Sequence, residues 1–208
     1  MTRRYLDIAS TPGVIAAREA NGGIRMRAAR SGEADRFTPA EVQFIAERDS
    51  FYLATVSSSG WPYIQHRGGP KGFLKVLDDK TLAFADFRGN RQYLSIGNVT
   101  TDDKTALFLM DYANCLRLKI LAHLEVRDLS DDPALAEKLV LPGYKAMAER
   151  TVLLHLEAYD WNCPQHITQR FTEEELSHAL APIRQRQEAL ESENRRLRER
   201  LAACEKRA

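Results

Sequence analysis

The feature of the sequence that most constrains the fold is a series of short apolar or alternating segments between residues 51 and 159. The segments are Phe51–Val56, Tyr63–His66, Phe73–Leu77, Thr81–Asp86, Thr105–Met110, Arg117–Arg127 and Thr151–Tyr159. Turn-forming clusters such as Ser58-Ser59-Gly60 and Tyr112-Ala113-Asn114 separate several of them. Most segments follow one another too closely for the helical crossovers that parallel strands require. The pattern therefore favours an antiparallel barrel or sandwich over a doubly wound sheet.

The N-terminal region has helix signals of its own. Thr11-Pro12 combines an N-cap residue with a proline at the first helical position, and Asn21-Gly22 is typical of a helix end. These signals predict a short helix near residues 12–20. We interpret residues 1–37 as an N-terminal helical arm that precedes the strand-rich region.

Three further helices are predicted around the strands. Thr38 and Glu41 form a capping box, so a helix should begin there and end near Arg48. A helical interruption is expected at about residues 91–96. Another helix is expected at about residues 133–140, after an aspartate N-cap and a proline.

The C-terminal segment, residues 171–208, has a different pattern from the rest of the chain. Nine residues recur at alternating steps of four and three: Leu176, Leu180, Ile183, Gln187, Leu190, Asn194, Leu197, Leu201 and Cys204. This heptad stripe predicts a helix that needs a partner, and Asn194 resembles the buried asparagine of parallel dimers. We expect pairing with a second copy; the alternative is a helix folded back onto its own domain. Pro182 should kink this helix or delay its start.

Composition excludes several classes of protein. The formal net charge is only +1, whereas a general nucleic-acid binder usually carries a stronger basic excess. The sequence has no run of about 18 apolar residues, so no transmembrane helix and no membrane partner are expected. An apolar signal segment does not follow the first residues. We therefore expect a cytoplasmic protein.

The cysteines and histidines do not indicate a metal site or a disulfide framework. The three cysteines, Cys115, Cys163 and Cys204, are odd in number and widely spaced. Cys163-x-x-His166 lacks the two further ligands that zinc would need. Common catalytic signatures, including the phosphate-binding glycine loops and the serine-hydrolase elbow, are missing from the sequence. We expect no metal, and the catalytic residues stay unknown.

Two polar segments at strand ends are candidate anion sites. The first runs from Arg67 to Gly72, where glycines would let backbone amides approach an anion. The second runs from Arg88 to Gln92, at a predicted strand-to-helix junction, where a helix N-terminus flanked by arginines would suit a phosphate. The alternative for each is ordinary solvated turn charge.

The order of these segments resembles the pyridoxamine 5'-phosphate oxidase-like family of FMN-binding split β-barrels over about residues 38–170. The resemblance rests on Phe51–Val56 with Gly60–Tyr63, Arg67–Lys75, Phe84–Arg91, the helix with Asn98, and Trp161–Ile167. It implies a mainly β fold, a Greek-key split β-barrel with flanking helices, followed by the heptad-patterned helix. It also implies a homodimer with FMN at the dimer interface.

The resemblance assigns roles to individual positions. Arg67 and Lys71 would lie near the flavin ring or the ribityl chain, with Phe84 and Ala85 bordering the ring. Arg91 and Gln92 would hold the FMN phosphate, with Arg88 as a further candidate. Across the dimer, the residues that would reach or close the site are Arg117, Trp161 and Arg170.

The function implied is an FMN-dependent oxidation or reduction of a small molecule. The flavin performs the hydride chemistry, so no side-chain nucleophile is required. After Trp161 the sequence departs from true pyridoxamine phosphate oxidases, whose Arg-x-His element is replaced by Asn162-Cys163-Pro164-Gln165-His166. Turnover of pyridoxamine 5'-phosphate is therefore not expected. The alternatives are a reductase that uses F420, or a non-catalytic flavin or haem carrier whose coiled coil recruits a partner.

Overall fold

Seven antiparallel strands form one sheet with the order β2-β1-β5-β6-β7-β4-β3 in the computed structural model. The structure describes residues 3–23, 33–141, 143–161 and 165–205. The strands are β1 Ser50–Val56, β2 Pro62–Gly68, β3 Lys75–Val76, β4 Thr81–Phe87, β5 Lys104–Asp111, β6 Leu116–Asp128 and β7 Ala148–Trp161. The helices are α1 Arg3–Ala9, α2 Pro12–Ala20, α3 Pro39–Ala46, α4 Leu94–Asn98, α5 Pro133–Leu139 and α6 Glu173–Glu205.

The sheet curls until its two ends meet. β2 lies at one end of the hydrogen-bonded order and β4 lies next to the other end. Nevertheless, Arg67 Nη1 of β2 lies 2.6 Å from Asp86 Oδ1 of β4. A flat sheet would keep these strands far apart, so this contact closes the barrel. The predicted mainly β split barrel with flanking helices is confirmed.

The barrel interior is filled by the inward-facing residue of each alternating pair. Along β1 and β5 every second side chain is buried, which is the pattern of a sheet with one face on a core. Phe51, Phe73 and Phe84 form an aromatic group at its centre, with ring centroids 5.4–6.4 Å apart. All seven predicted strand segments contain strand residues. The shortest is Lys75–Val76, because Phe73 and Leu74 enter the core instead of extending the ladder.

The helices agree with the sequence predictions in part. α2, α3 and α5 lie where their cap residues predicted, and the Thr38–Glu41 capping box is present. α1 was not predicted. It lies on β7, where Arg4 pairs with Glu157. On the neighbouring β6, Lys119 Nζ lies 4.5 Å from the centroid of the Tyr5 ring of α1. α4 begins at Leu94, so its predicted start at residue 91 is wrong.

The chain divides into two compact units, residues 1–167 and 168–208. The second unit contains α6, which runs without interruption from Glu173 through Pro182 to Glu205. The proline therefore does not delay the start of the helix. None of residues 173–205 is buried. No helix among the described residues is both long and apolar enough to span a bilayer.

A buried carboxylate connects α3 to the end of β7. Glu41 is 4% exposed and accepts hydrogen bonds from the Thr38 backbone N–H at 2.9 Å and from Trp161 Nε1 at 2.6 Å. The Trp161 indole also packs edge-on against Phe44, with ring centroids 4.7 Å apart. Burial by itself raises the pKa of Glu41, but the hydrogen bonds from Thr38 and Trp161 outweigh it and lower the pKa below 4.5.

Replacing Trp161 by Phe should therefore destabilise the protein. Trp161→Phe keeps an aromatic ring against Phe44 but removes the donor to a buried carboxylate, which costs about 1–3 kcal/mol. The folded pKa of Glu41 lies below its unfolded value, so this stabilisation is complete above pH 4.5 and is lost as the pH falls through the folded pKa. Urea unfolding at pH 7 should show the difference, and it should shrink in acid.

The matched control is Trp61→Phe, because Trp61 is 76% exposed. This substitution makes the same chemical change outside the core and should leave the free energy of unfolding within about 0.5 kcal/mol of the original. Equal stabilities of the two variants at pH 7 would show that the Trp161–Glu41 bond does not stabilise the fold.

Candidate functional site

Two neighbouring cavities open where β2 meets β4. The arginine cavity has a volume of about 190 Å³ and is lined by Gln65, Arg67, Asp86, Phe87, Gly89, Asn90, Arg91, Tyr93, Ser95, Ile96 and Glu149. The phenylalanine cavity has a volume of about 180 Å³ and is lined by Gln65, His66, Arg67, Gly68, Phe73, Phe84, Ala85 and Phe87. Gln65, Arg67 and Phe87 line both cavities, so the two spaces are adjacent.

The loop between β4 and α4 forms one wall of the arginine cavity. Arg91 and Tyr93 have left-handed backbone angles, with φ of 61° and 52°. Non-glycine residues in this region cost about 1–3 kcal/mol each and persist where the surroundings hold them. The Asn90 side chain accepts a hydrogen bond from the Gln92 N–H at 3.1 Å. Arg91 and Gln92 thus lie in a tight loop before α4, and not in its first turn.

A buried carboxylate joins three strands beside this cavity. Asp86 of β4 is 5% exposed. Its Oδ1 accepts from Arg67 of β2 at 2.6 Å, and its Oδ2 accepts from Arg150 of β7 at 3.3 Å. The guanidinium of Arg67 also lies 5.8 Å from the centroid of the Phe84 ring. Asp86 therefore fixes the position of an arginine that lines both cavities.

A second carboxylate holds the loop. Glu149 accepts from Arg88 Nε at 2.9 Å and from the Tyr93 hydroxyl at 3.0 Å. Arg150 covers the Tyr93 ring, with its guanidinium carbon 4.6 Å from the ring centroid. The hydrogen bond from Arg88 is the main cause that lowers the pKa of Glu149, with Tyr93 and Arg150 adding to it. Burial lowers the pKa of Arg150, but its bonds to Tyr93 and Asp86 raise it overall.

A β-bulge brings Glu149 and Arg150 to the same site. In the ladder between β4 and β7, Arg150 faces Asp86 and Ala148 faces Phe87, so Glu149 is the extra residue. Neighbouring residues on a regular strand point to opposite faces, whereas a bulge re-aims one of them. The Glu149 side chain therefore lines the arginine cavity, while the neighbouring Arg150 side chain binds Asp86 beside it.

The charges of this region do not balance. Arg67, Arg88, Arg91 and Arg150 carry four positive charges, while Asp86 and Glu149 carry two negative charges, which leaves an excess of two. Arg91 is exposed, and no hydrogen bond or ion pair to another described residue is found for it. In addition, the buried Nε of Arg67 has no hydrogen-bond partner among the described residues. The site is therefore suited to an anion of charge −2.

The structure brings four of the predicted site residues together: Arg67, Phe84, Ala85 and Arg91 line the cavities. Two more lie beside them. Arg88 is directed at Glu149, and Gln92 is exposed in the same loop. Their contacts with a ligand stay predictions.

The other four predicted residues do not line either cavity. Lys71 is exposed on the turn after β2. The guanidinium carbon of Arg117 on β6 lies 5.9 Å from the centroid of the Phe108 ring. Trp161 is bonded to Glu41, and Arg170 belongs to the second unit. A contribution of Arg117, Trp161 or Arg170 to a partner's site stays a prediction. Residues 162–164 of the predicted C-terminal signature lie outside the described residues.

The turn from Gly68 to Gly72 is not an anion cradle. The N–H groups of Gly69 and Gly72 donate to the carbonyls of Asp49 and Arg48, at 2.9 and 3.0 Å. A Cβ at Gly69 would lie 2.8 Å from Cγ of Phe73. These glycines are therefore required by close packing, and the predicted use of their amides for an anion is wrong.

Sequence reasoning did not identify Asp86, Tyr93, Glu149 and Arg150 as site residues. Asp86 had a visible signal, because an aspartate within an apolar strand segment needs a partner when it is buried. Arg150 and Glu149 had none, since their approach depends on the register and bulge between β4 and β7.

Comparisons with known proteins agree with this fold. A sequence profile described as "Pyridoxamine 5'-phosphate oxidase" matches residues 37–162, which is more than half of the 208-residue chain. No curated protein sequence gives a significant match. Among solved structures, the HupZ protein of Group A Streptococcus is similar at a TM-score of 0.50 and 16% identity, covering 65% of this chain and 100% of that chain.

Two further similar structures are described as FMN-binding proteins. The one from Syntrophomonas wolfei has a TM-score of 0.45 and 14% identity, covering 58% of this chain and 81% of that chain. A pyridoxamine 5'-phosphate oxidase-related, FMN-binding protein from Nostoc punctiforme has a TM-score of 0.41 and 14% identity. It covers 57% of this chain and 80% of that chain.

Proposed function

The chain belongs to the pyridoxamine 5'-phosphate oxidase family, and we propose that its two cavities together bind FMN. We propose further that the protein is an FMN-dependent oxidoreductase acting on a small molecule. The observation that carries the proposal is the excess of two positive charges around the arginine cavity, together with the buried Nε of Arg67, for which the described part of the chain supplies no hydrogen-bond partner. A phosphate monoester supplies about two negative charges and several acceptor oxygens.

In this proposal the arginine cavity holds the phosphate. Arg91 is the main contact, because it lines the cavity and no hydrogen bond or ion pair ties it to another described residue. Its left-handed backbone is held by a loop that Glu149 and Arg150 brace through Tyr93. Arg91 therefore keeps its position before the ligand arrives, which lowers the ordering cost of binding.

The phenylalanine cavity is proposed to border the flavin ring. Phe84 and Ala85 supply an apolar wall, and Arg67 lies at the junction of the two cavities. When bound, FMN supplies hydride or electron transfer. Arg67 then places a positive charge and an N–H donor beside a ring that becomes more negative on reduction, and Asp86 holds the Arg67 side chain in place.

We propose that the protein is a homodimer through the outer face of β1, β2, β5 and β6. The inward residues of β1 and β5 already form the core, so their outward residues should be polar if water covered them. Instead the outward residues Tyr52, Val56 and Ile64 are 40%, 41% and 66% exposed. Phe108 is directly opposite Tyr52 on the same face. An apolar face of this kind is typical of an interface between subunits.

Arg117 is part of the argument for the dimer. It pairs with Met110, two residues after Phe108 on β5, and so belongs to the same outer face. From there it does not line either of the two cavities described in its own chain. In the proposed dimer it reaches the partner's flavin, and Trp161 and Arg170 are proposed to close the partner's site.

The phosphate contact predicts the effect of Arg91→Ala. Loss of one charge-assisted hydrogen bond costs about 1.5–3 kcal/mol, so FMN affinity should fall by about ten- to a hundredfold. Titration of the apoprotein with FMN, followed by flavin fluorescence, measures this. Arg36→Ala is the matched control, because Arg36 is an exposed arginine paired with Asp79 outside both cavities. Equal FMN affinities for the two variants would refute the assignment.

The absorption spectrum of the purified protein tests the cofactor itself. Bound flavin gives bands at about 370 and 450 nm, which the cofactor sets. A single visible band without the flavin pair would instead indicate F420, and a Soret band would indicate haem. The F420 band corresponds to the reductase alternative and the Soret band to a non-catalytic haem carrier, whereas a non-catalytic flavin carrier would show the same flavin bands as the proposed enzyme.

Pyridoxamine 5'-phosphate should not be a substrate. The proposal follows from the sequence Asn162-Cys163-Pro164-Gln165-His166, which stands where the resemblance places an Arg-x-His substrate element. FMN-loaded protein incubated with pyridoxamine 5'-phosphate and oxygen should form no pyridoxal 5'-phosphate above the rate of free FMN. Sustained formation of pyridoxal 5'-phosphate would show that another part of the chain recognises this substrate.

Ile64→Glu should weaken both the dimer and FMN binding. Ile64 is 66% exposed in a single chain, so a charge there leaves the monomer intact but is buried in the proposed interface. The dimer dissociation constant and the FMN dissociation constant should each rise by about tenfold or more. Val140→Glu is the control, because Val140 is 61% exposed and lies outside this face. Unchanged constants in sedimentation and FMN titration would rule out this interface.

A further inference from the structure

We propose that α6 pairs with α6 of a second copy as a parallel, in-register, two-stranded coiled coil. The apolar stripe of the helix is fully formed but uncovered: Leu190 and Leu197 are each 49% exposed and Leu201 is 61% exposed. A 33-residue helix with no buried residue has little to stabilise it except a partner. This inference is independent of the proposed flavin site.

The heptad positions follow from the spacing. The stripe alternates steps of four and three, which assigns its members to the d and a positions in turn. The d residues are Leu176, Ile183, Leu190, Leu197 and Cys204; the a residues are Leu180, Gln187, Asn194 and Leu201. Pro182 falls at position c, away from the seam. The 23 residues from Ile183 to Glu205 therefore give an uninterrupted seam of about 34 Å.

The flanking charges select the in-register pairing. In a parallel pair, each g residue faces the e residue five positions further along in the other chain. The resulting pairs are Arg186 with Glu191 of the partner subunit, Glu193 with Arg198 of the partner subunit, and Arg200 with Glu205 of the partner subunit. All three are opposite in sign. A slip of one heptad would place Arg186 against Arg198 of the partner subunit, so the alternation of signs disfavours that slip.

The two polar seam residues select the parallel orientation. Gln187 and Asn194 both occupy a positions, and in-register parallel pairing places each opposite its own copy, where two amides can hydrogen-bond. Antiparallel pairing places an a residue opposite a d residue. Every d position from Ile183 to Leu197 is apolar, so the Asn194 amide would be buried without a partner, which costs free energy.

Both proposed contacts of the molecule have the same symmetry. A parallel in-register coiled coil has a two-fold axis along the helices, and a dimer through one outer sheet face is also two-fold. Each contact, taken by itself, therefore closes with two copies. The coiled coil is tested separately from the barrel interface, because its readout lies in α6 alone.

Cys204 provides a direct test on the full-length chain. At a d position, parallel in-register pairing brings the two Cys204 thiols into one layer, within reach of a disulfide. Diamide forms that S–S bond by accepting the two electrons and two protons that the thiols lose. Dilute protein treated with diamide should give a covalent dimer on a non-reducing denaturing gel, and reductant should reverse it.

Two cysteine variants make the test specific. Cys204→Ser should abolish the covalent dimer and so exclude Cys115 and Cys163 as its source. Ser192→Cys combined with Cys204→Ser moves the thiol to an outward f position by an exchange of similar size. The cross-linking rate of this double variant should be no more than about a tenth of the rate of the original chain. Equal cross-linking rates for the double variant and for the original chain would overturn the seam assignment.

Charge inversion tests register and orientation together. Arg186→Glu, Glu193→Arg and Arg200→Glu make every g–e pair repulsive, so disulfide formation should slow by about tenfold. Inverting the three e residues instead should have the same effect. A mixture of the two variants restores opposite charges and should restore the covalent dimer. Cross-linking of the inverted variants at the original rate, or no covalent dimer from the original chain, would refute the proposal.

Discussion

The pairing of Asp86 with Arg67 and Arg150 is the interaction on which the rest of the structure depends. It connects β2, β4 and β7, and two of these strands come from opposite parts of the sheet order. The same contact closes the barrel and holds Arg67, which lines both cavities. A buried carboxylate with two arginines leaves positive charge uncompensated, which opposes folding in the absence of an anion. An anion that binds only the folded state removes that opposition and stabilises the protein.

The sequence was sufficient for the strands because their signal is local. A short apolar run or an alternation of apolar and polar residues indicates a strand irrespective of its neighbours, and each of the seven predicted segments contains strand residues. α1 was missed because residues 3–9 carry no cap signal, and the contact of Arg4 is made with a strand about 150 residues later. β3 was overestimated because a run such as Phe73–Leu77 is equally apolar whether it extends a ladder or enters a core.

In the candidate site, too, some residues could be assigned from the sequence and others depend on contacts between distant strands. Arg67, Phe84, Ala85 and Arg91 were assigned through a resemblance that preserves their order along the chain. Asp86, Glu149 and Arg150 act together only because a bulge sets the register between β4 and β7. That register is a property of the folded sheet, and no spacing in the sequence predicts it. The prediction of an anion site at the turn from Gly68 to Gly72 was wrong although its signal is local. Glycines are typical of anion sites, but here the lack of a side chain at Gly69 lets Phe73 pack.

The strained loop shows how distant residues determine the ligand contact. Arg91 and Tyr93 adopt a backbone that most side chains avoid, so the loop would relax if nothing held it. Its restraints come from β7, where Glu149 binds the Tyr93 hydroxyl and Arg150 covers the Tyr93 ring. Arg150 also binds Asp86, which in turn holds Arg67. The arginine of the loop and the arginine of β2 are thus positioned by one continuous network. A change in β7 that frees either carboxylate would therefore loosen both arginines at once, although β7 itself contributes only Glu149 to the cavity walls.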